Sequence, residues 1–262
     1  MLLLSDGRIT EDWAAAQIID ASIAQLAALG LRSFHHVPLY RPPMVNSTAP
    51  PVVCLRADDL WAGYRKHQNL LSGASFWLGT GEITGLVGKN GEGKTTLARV
   101  LCGLHKQTQG TVQMGGKNLS THQRQRAVAL VMQDAGHQLF SDSVENELRL
   151  WGQKKHIPDN GKITSVLEQI QLSGFEERHP MALSGGQKQR LCIALAALSP
   201  AAVLLFDEPT SGLDYTNMQR VAAMLRMLAG LDKAILVISH DHEFLNTVCD
   251  RFLYLEDGKI HT

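Results

Sequence analysis

The chain has 262 residues, with 25 basic and 25 acidic side chains, and 44% of its residues are hydrophobic. This length allows one large domain, or one domain with an appendage, and the apolar share excludes global disorder. Zero net charge argues against a nucleic-acid-binding protein, which usually carries a basic excess. The apolar runs are too short to span a bilayer, and the apolar start lacks the basic flank and the length of a signal peptide.

Four cysteines lie far apart along the chain, at Cys54, Cys102, Cys192 and Cys249. Their spacing matches neither a zinc site nor a disulfide framework. We therefore expect reduced thiols that are packed in the core.

The N-terminal part of the chain is predicted to form a short apolar strand, a turn and one helix. Residues 1–4 make the strand, and an Asp-Gly turn follows directly. Thr10 is predicted to cap the helix, because Glu11 and Asp12 would then lie at the positive end of its dipole. Apolar residues recur along this helix at three- and four-residue spacing.

Residues 41–51 are rich in proline and small polar residues, which predicts a linker. From residue 52 onward, apolar runs alternate with helical segments, a pattern typical of an α/β sheet protein. The predicted strands cover residues 52–55, 83–87, 128–132, 203–206, 234–238 and 252–255. The predicted helices cover residues 94–104, 144–151, 164–170, 187–198, 216–229 and 242–249.

Residues 1–9 resemble residues 252–260. Leucines, an Asp-Gly turn, a basic residue after the glycine and a final isoleucine coincide in the two segments. Two readings are open, an internal repeat and two generic β-hairpins, since Asp-Gly turns between apolar strands are common.

A glycine-rich loop with phosphate-loop spacing lies between the apolar run 83–87 and the next predicted helix. Glycines let backbone N–H groups turn inward around phosphates, and the helix presents its positive end to them. Lys94 can reach the β- and γ-phosphate oxygens, while the Thr95 hydroxyl can bind Mg²⁺. The candidate phosphate-binding residues of this loop are Gly88, Lys89, Asn90, Gly91, Glu92, Gly93, Lys94, Thr95 and Thr96.

The apolar run 203–206 ends in two acids, Asp207 and Glu208. This pattern predicts two carboxylates at the C-terminal edge of a parallel sheet, where such folds bind ligands. Asp207 is predicted to hold Mg²⁺, through water, and Glu208 to orient or polarise an attacking water. Alone, the pair would indicate a solvated loop, but downstream of a phosphate loop it favours a nucleotide site.

Residues 183–190 closely resemble the signature motif of the ATP-binding-cassette (ABC) family. Ser184, Gly185, Gly186 and Gln187 open a predicted helix and offer N–H groups to a phosphate. In that family the signature completes the ATP site of the opposite subunit. The resemblance therefore implies a dimer of two cassettes and a lone domain that is nearly inactive.

The other family motifs follow in order. Gln133 matches the glutamine that senses Mg²⁺ and the attacking water and contacts the membrane partner. Ser211 and Asp214 match the loop that crosses between the two sites, and His240 matches the histidine that contacts the γ-phosphate. The resemblance thus implies catalytic roles for Glu208, His240, Gln133 and Lys94, and a metal site at Thr95, Gln133 and Asp207.

Tyr64 matches the aromatic residue that stacks on adenine in this family. Trp61 is the competing candidate, and either ring could instead belong to the core. We favour Tyr64, because stacking needs only an exposed ring face.

Residues 133–148 resemble the energy-coupling-factor type of ABC ATPase, which drives uptake of vitamins or transition-metal ions. Ordinary helix capping explains part of this segment equally well, since Ser141 or Ser143 precedes a helix with acids in its first turn. Residues 1–40 look like the C-terminal end of a preceding cassette, so that the chain resembles the second half of a tandem ATPase. An unrelated extension over residues 1–51 is the alternative.

The family resemblance covers residues 52–262. It implies an α/β P-loop NTPase fold, an ABC ATPase domain with an antiparallel β subdomain around Tyr64 and an α-helical subdomain between Gln133 and Ser184. It further implies ATP and Mg²⁺ as cofactors, a second ABC ATPase domain and an integral membrane transporter subunit as partners, and no nucleic acid. The expected location is peripheral, on the cytoplasmic face of the cell membrane.

Two alternatives to a transport ATPase are a soluble non-transport cassette ATPase and a nucleotide-binding scaffold without significant hydrolysis. The first would be expected to show a basic balance or long interdomain helices, and neither is present. Intact Glu208 and His240 argue against the second. Nothing in the sequence identifies the cargo.

Overall fold

The computed structural model describes residues 2–5, 8–33, 37–40, 52–65, 68–153 and 160–262. The predicted linker at residues 41–51 lies outside the described residues. In the N-terminal part the elements are β1 (Leu2–Ser5), β2 (Arg8–Asp12), α1 (Ala15–Asp20) and α2 (Ile23–Ala28). Between residues 53 and 131 the elements are β3 (Val53–Arg65), β4 (Gln68–Gly79), β5 (Ile83–Val87), α3 (Lys94–Leu101), β6 (Gln109–Met114), β7 (Lys117–Asn118), α4 (Thr121–Ala127) and β8 (Val128–Val131). The later elements are α5 (Val144–Gln153), α6 (Asn160–Gln169), α7 (Gly185–Leu198), β9 (Val203–Asp207), α8 (Tyr215–Ala229), β10 (Ala234–Ile238), α9 (His242–Val248), β11 (Arg251–Glu256) and β12 (Lys259–His261).

A six-stranded sheet with the order β12-β11-β5-β10-β9-β8 forms the centre of the fold. Its strands are parallel, apart from β12, which pairs antiparallel with β11 at one edge. Every residue of β10 is buried, as expected of a strand that is covered on both faces. The carboxyl ends of β5, β9 and β10 therefore meet at one edge, directly before the phosphate loop, the acid pair and His240.

Two hydrophobic clusters cover the two faces of this sheet. On one face, Phe206 and Val237 pack with residues of α7, α8 and α9. On the other face, Leu205 and Leu236 pack with α3 and with a four-stranded antiparallel sheet of order β4-β3-β6-β7. The predicted α/β class with an antiparallel β portion around Tyr64 is confirmed.

The predicted helix that begins at Thr10 is wrong. Residues 8–12 form β2, which pairs with β1, so that sheet pairing overrides the capping pattern. The helical residues form two short helices, because Ser22 starts a second one with a capping box in which its side chain and that of Gln25 bond each other's backbone N–H.

The helix predicted at residues 94–104 ends earlier, at Leu101. Gly103 follows with φ +70°, and a Cβ on it would lie 2.5 Å from the carbonyl oxygen of Thr121. The left-handed backbone and the close approach of α4 together end the helix.

The two ends of the described chain form hairpins whose registers agree next to the turn and differ beyond it, where Leu3 pairs with Glu11 but Tyr254 pairs with His261. β1 and β2 pair Leu4 with Ile9, and β11 and β12 pair Leu255 with Ile260. These are the positions that the resemblance between residues 1–9 and 252–260 aligns. The Asp-Gly turn of the first hairpin lies outside the described residues.

All four cysteines are free; Cys102, Cys192 and Cys249 are buried as predicted, whereas Cys54 is only partly buried. Burial raises the pKa of the Cys102 and Cys192 thiols to about 12, which keeps them protonated and unreactive. Among the described residues, no helix combines the length and the apolar character needed to cross a bilayer.

Candidate functional site

The phosphate loop, residues 88–95, connects β5 to α3. Gly93 is the N-cap of α3 with φ +104°, and no side chain caps the helix there. A Cβ on Gly93 would lie 3.1 Å from the carbonyl oxygen of Leu70, so both the backbone angle and the space call for glycine. Gly91 also has a positive φ, but a Cβ there would meet nothing within 4 Å. The uncapped N–H groups of α3 are donors suited to a phosphate.

Lys94 is buried at the base of this loop. Its Nζ donates to the carbonyl oxygens of Gly88 (2.6 Å) and Lys89 (2.8 Å). Burial lowers the pKa of Lys94, and the nearby carboxylates of Glu208, Glu92 and Asp207 oppose that effect. The loop thus encloses an ammonium group beside uncapped amides, an arrangement that fits a phosphate chain.

Thr95 and Asp207 come together from α3 and β9. The Thr95 hydroxyl donates to Oδ2 of Asp207 at 3.0 Å. Burial raises the pKa of the Asp207 carboxyl, and the hydrogen bond from Thr95 opposes this. Hydroxyl and carboxylate oxygens are hard ligands, and Mg²⁺ is usually held by one or two carboxylates together with substrate phosphates. The residues present therefore fit Mg²⁺ bound with ATP.

Glu208 is held in a left-handed backbone conformation, with φ +49°. Its N–H donates to the carbonyl oxygen of Ile238 at 2.8 Å, which ties it to the end of β10. Its Oε2 accepts from the Ser239 hydroxyl (3.0 Å), and its Oε1 accepts from the His240 N–H (3.1 Å). A rare backbone conformation fixed by neighbouring strands is typical of a functional position.

Partial burial of the Glu208 carboxyl favours its protonated form. Burial raises the pKa of its carboxyl, against the opposing effects of the Ser239 hydrogen bond and of His240. His240 Nε2 lies 3.8 Å from Oε1 of Glu208, and 45% of the His240 side chain is exposed. Glu208 and His240 therefore form a pair whose imidazole remains accessible.

These groups surround a cavity of about 520 Å³, which we call the phosphate cavity. The structure places in its wall most of the residues predicted for ATP, Mg²⁺ and catalysis, together with Leu70 and Ile238, which the sequence did not point to. The predicted residues in the wall are Asn90, Gly91, Gly93, Lys94, Thr95, Thr96, Gln133, Asp207, Glu208 and His240.

The remaining loop residues and Tyr64 lie outside that wall. Glu92 turns back on the loop, where its carboxylate accepts from the Lys89 N–H at 2.7 Å. Tyr64 is exposed, its hydroxyl accepts from Arg99, and its ring centroid is 4.7 Å from that of His105. Tyr64 is therefore a surface residue rather than a core residue, and its role in stacking on adenine stays a prediction.

The signature residues open α7 outside the phosphate cavity. Ser184 is the N-cap, and its side chain and that of Gln187 form a capping box. A separate cavity of about 430 Å³ has Gln133, Gly185 and Ser211 in its wall. Within the described part of the chain, the signature residues thus lie outside the phosphate cavity.

Asp214 links the loop at residues 211–214 to α7 through hydrogen bonds. It caps α8 by accepting from the Asn217 N–H at 2.7 Å, and Asn217 Oδ1 accepts from Arg190 of α7 at 2.8 Å. A Cβ on Gly186 would lie 3.2 Å from Asn217, so α7 and α8 approach closely here.

Ser239 is the site residue that the sequence analysis missed most clearly. It is fully buried, and its hydroxyl bonds the Glu208 carboxylate. Its position between the predicted strand 234–238 and His240 was the available signal.

A family model described as ABC transporter matches residues 71–211. The chain belongs to the ABC transporter family. An ABC transporter ATP-binding protein of Treponema denticola is 39% identical over 99% of this chain and 53% of its own length. One from Pyrococcus horikoshii is 33% identical over 77% of this chain and 80% of its own length. ATPase activity is characteristic of this family.

Solved ABC structures share the fold. CbiO1 from Clostridium perfringens, described as part of the ABC transporter complex CbiONQ, superposes with a TM-score of 0.72 at 26% identity. The match covers 80% of this chain and 88% of that one, which confirms the predicted ABC ATPase fold. A Bacillus subtilis relative named for HMP/thiamine import is 34% identical over 74% of this chain and 36% of its own length. The chain spans about half, or less, of the length of several such relatives.

Proposed function

We propose that this chain hydrolyses ATP to power a membrane transporter, an importer of the energy-coupling-factor type for a vitamin or a transition-metal ion. The observation that carries the proposal is the convergence in one cavity of Lys94, the Thr95–Asp207 pair and the Glu208–His240 pair. A binding scaffold would need the first two features but not a partly buried carboxylate with a raised pKa beside an imidazole.

The phosphate loop binds and neutralises the phosphates. Lys94 exchanges its carbonyl contacts for phosphate oxygens, and the first amides of α3 donate to them. Mg²⁺, held by Thr95, Gln133 and Asp207, would add positive charge at the phosphates. Since phosphoryl transfer depends mostly on positioning and electrostatics, these contacts supply much of the catalysis.

Glu208 orients the attacking water and takes up its proton. The raised pKa makes the carboxylate a better proton acceptor than an ordinary glutamate. His240 donates to the γ-phosphate, and its backbone N–H keeps Oε1 of Glu208 in place.

A second cassette completes the site. The N-terminus of α7, with Ser184 as its cap, lies outside the phosphate cavity of its own chain. A head-to-tail dimer would bring these N–H groups to the phosphates of the opposite subunit. We expect phosphate release per molecule to rise with protein concentration, whereas a rate that is independent of concentration would argue against the dimer.

The membrane subunit docks on the α-helical subdomain between Gln133 and Ser184. An apolar cavity of about 240 Å³ between β8, α5 and α7 has Trp151 and Leu195 in its wall. Nearby, Phe140 is 81% exposed, although its N–H and that of Ser141 are held by the buried carboxylate of Glu147. An exposed aromatic ring on a backbone that is held in this way is suited to a protein partner. Such a subunit would keep the chain at the cytoplasmic face of the membrane. CbiO1, as part of an ABC transporter complex, supports a membrane partner, and the B. subtilis relative that is named for HMP/thiamine import supports an importer.

Purification from native membranes tests the transport function. A tagged chain is extracted in detergent, and the proteins that accompany it are identified by mass spectrometry. An integral membrane subunit is expected. Its absence, with phosphate release intact, would favour the soluble non-transport ATPase.

We also propose that residues 1–40 correspond to the end of a preceding cassette. The matching pairs next to the turns of the two hairpins support this, as does the Treponema denticola relative, which aligns with 99% of this chain over 53% of itself. The mass of the native polypeptide tests it: a single polypeptide of about double the size supports the tandem form, and a stable 28.7 kDa species leaves the separately encoded form.

A further inference from the structure

Residues 30–33 and 37–40 run from the start of α8 to the middle of α9, and we call them the strap. At one end, the carbonyl oxygen of Gly30 accepts from the Tyr215 N–H at 3.1 Å. At the other end, the Tyr40 N–H donates to Asn246 Oδ1 at 2.7 Å, and Asn246 Nδ2 donates back to Pro38 at 2.8 Å. The strap is thus anchored to the cassette at both ends.

Arg32 is the charged contact between the strap and α9. Its guanidinium forms an ion pair with Asp241, and its Nε donates to Glu243 Oε2 at 2.9 Å. About a quarter of the Arg32 side chain is exposed. One cation therefore bridges two carboxylates at the N-terminus of α9, in partly buried surroundings that screen the charges less than open solvent does.

Polar contacts lead from Asp241 to Glu208. The buried Thr210 hydroxyl donates to the same Oδ2 of Asp241 that Arg32 contacts, at 2.9 Å. The Asp241 N–H donates to Ser239 Oγ at 3.1 Å, and that hydroxyl donates to Glu208 at 3.0 Å. The partner of Arg32 is therefore two hydrogen bonds away from the Glu208 carboxylate.

His240 lies between two cavities. It lines the phosphate cavity and also a cavity of about 350 Å³ whose wall includes Arg32, Ser33 and Val37. The direction in which its side chain leaves the main chain is set by the backbone at residues 239–241. That backbone is fixed at Asp241, which Arg32 holds.

We propose that Arg32 is a positioning residue that holds the Glu208–His240 pair in its reactive arrangement through Asp241. The inference rests on the proposed ATP hydrolysis, since Arg32 itself lines no part of the phosphate cavity. Small displacements of reacting groups cost large factors in rate, so losing the Arg32 contact lowers turnover more than nucleotide affinity.

Hydrogen–deuterium exchange of the nucleotide-free chain tests the contact without any catalysis. Arg32→Met should speed exchange at residues 239–243 about tenfold and leave residues 133–141 unchanged. Arg226→Met is the matched control, because it removes an ion pair with Asp250 that involves neither the strap nor residues 239–243. Unchanged exchange at residues 239–243 in Arg32→Met would overturn the inference.

Steady-state kinetics test the consequence. Arg32→Met should lower kcat for phosphate release about tenfold while the Kd for ATP stays within about twofold, and Arg32→Lys should recover part of the loss. Asp241→Asn retains the acceptor that caps α9. When this substitution is already present, adding Arg32→Met should lower kcat little further.

The proposed ATP hydrolysis and the proposed positioning role of Arg32 can be disproved separately. If the unmutated chain releases no phosphate, the proposed function fails, and the exchange measurement alone decides whether Arg32 orders residues 239–243. If the unmutated chain is active and Arg32→Met keeps its kcat, the positioning role is overturned while the proposed function stands.

Discussion

The Ser239 hydroxyl and the Glu208 carboxylate form a 3.0 Å hydrogen bond at the point where β9 and β10 end side by side. Ser239 is fully buried, so this bond is shielded from water. Hydrogen bonds to charged groups in such surroundings stabilise by about 1.5–3 kcal/mol. The bond holds one oxygen of Glu208 and leaves the other to the His240 N–H.

Removing that hydroxyl should change the pH dependence of catalysis. Ser239→Ala is expected to raise the pKa of Glu208 further, because burial already raises it and the Ser239 hydrogen bond opposes burial. The acid limb of the kcat profile should then move to higher pH, and kcat at neutral pH should fall about tenfold. Phosphate release measured across pH checks this.

A buried serine elsewhere provides the control for that experiment. Ser199 accepts from the Ala201 N–H at 3.2 Å, and it lies outside the phosphate cavity wall. Ser199→Ala should leave the acid limb in place. An identical pH profile for Ser239→Ala and the unmutated chain would show that the hydrogen bond does not control Glu208.

Glu208→Gln should separate binding from turnover. The amide keeps the size of the side chain but cannot take up a proton, so ATP affinity should persist while phosphate release falls at least about a hundredfold. Nucleotide titration and a phosphate-release assay measure the two effects. Glu256→Gln, a change at an exposed carboxylate on β11, should alter neither, and a Glu208→Gln rate near that of the unmutated chain would remove Glu208 from the proposed role.

The same substitution should stabilise the nucleotide-free protein at high pH. The folded-state pKa of Glu208 is raised, so the folded chain binds this proton more tightly than the unfolded chain does. The free energy of unfolding therefore falls as pH rises from the ordinary glutamate value of 4.5 through the folded-state pKa. Urea unfolding should show a gain for Glu208→Gln above this window and little gain below it. A gain that is constant with pH would contradict the linkage.

Two glycines of the phosphate loop should differ in their tolerance of a methyl group. Gly93→Ala combines a positive φ with a close approach to Leu70, whereas Gly91→Ala meets open space. The backbone strain should cost about 1–2 kcal/mol in each variant, and Gly93→Ala should lose more because Leu70 must also move. Urea unfolding and ATP titration measure this. Equal losses would show that the contact with Leu70 adds nothing.

Phe140 should matter to the partner and not to the fold. Since 81% of the residue is exposed, Phe140→Ala should change the free energy of unfolding by less than about 0.5 kcal/mol. The amount of membrane subunit that co-purifies should nevertheless fall several-fold. Leu231→Ala, at a residue 63% exposed after α8, is the control. Equal recovery of membrane subunit with both variants would place docking elsewhere.

Local patterns were enough to predict much of the candidate site. The phosphate loop, the acid pair and His240 each follow a short apolar run directly, and parallel strands bring such endings to one edge. The predicted helix at Thr10 failed, because a good cap signal competed with a hairpin partner that capping rules do not consider. The resemblance of residues 1–9 to 252–260 was the better guide to that hairpin.

Contacts between distant parts of the sequence could not be predicted in the same way. Arg32 meets Asp241 across more than two hundred positions, and neither residue belongs to a motif. Strand register and sheet packing place Ser239 and Leu70 at the site, and short-range sequence patterns determine neither. These residues contact or position the motif residues, but they belong to no motif themselves.

The position of β5 in the central sheet has a consequence for biosynthesis. This strand carries the phosphate loop, yet its neighbours are β10 and β11, which lie some 150 residues further along the chain. The turn after β11 also packs on β4, where the Ser72 N–H donates to Gly258 at 2.8 Å, two residues from Leu70. A nascent chain on the ribosome therefore carries a complete phosphate-loop sequence long before it has the sheet that shapes it. Nucleotide can assist folding only late in translation, after the strands that flank β5 have emerged.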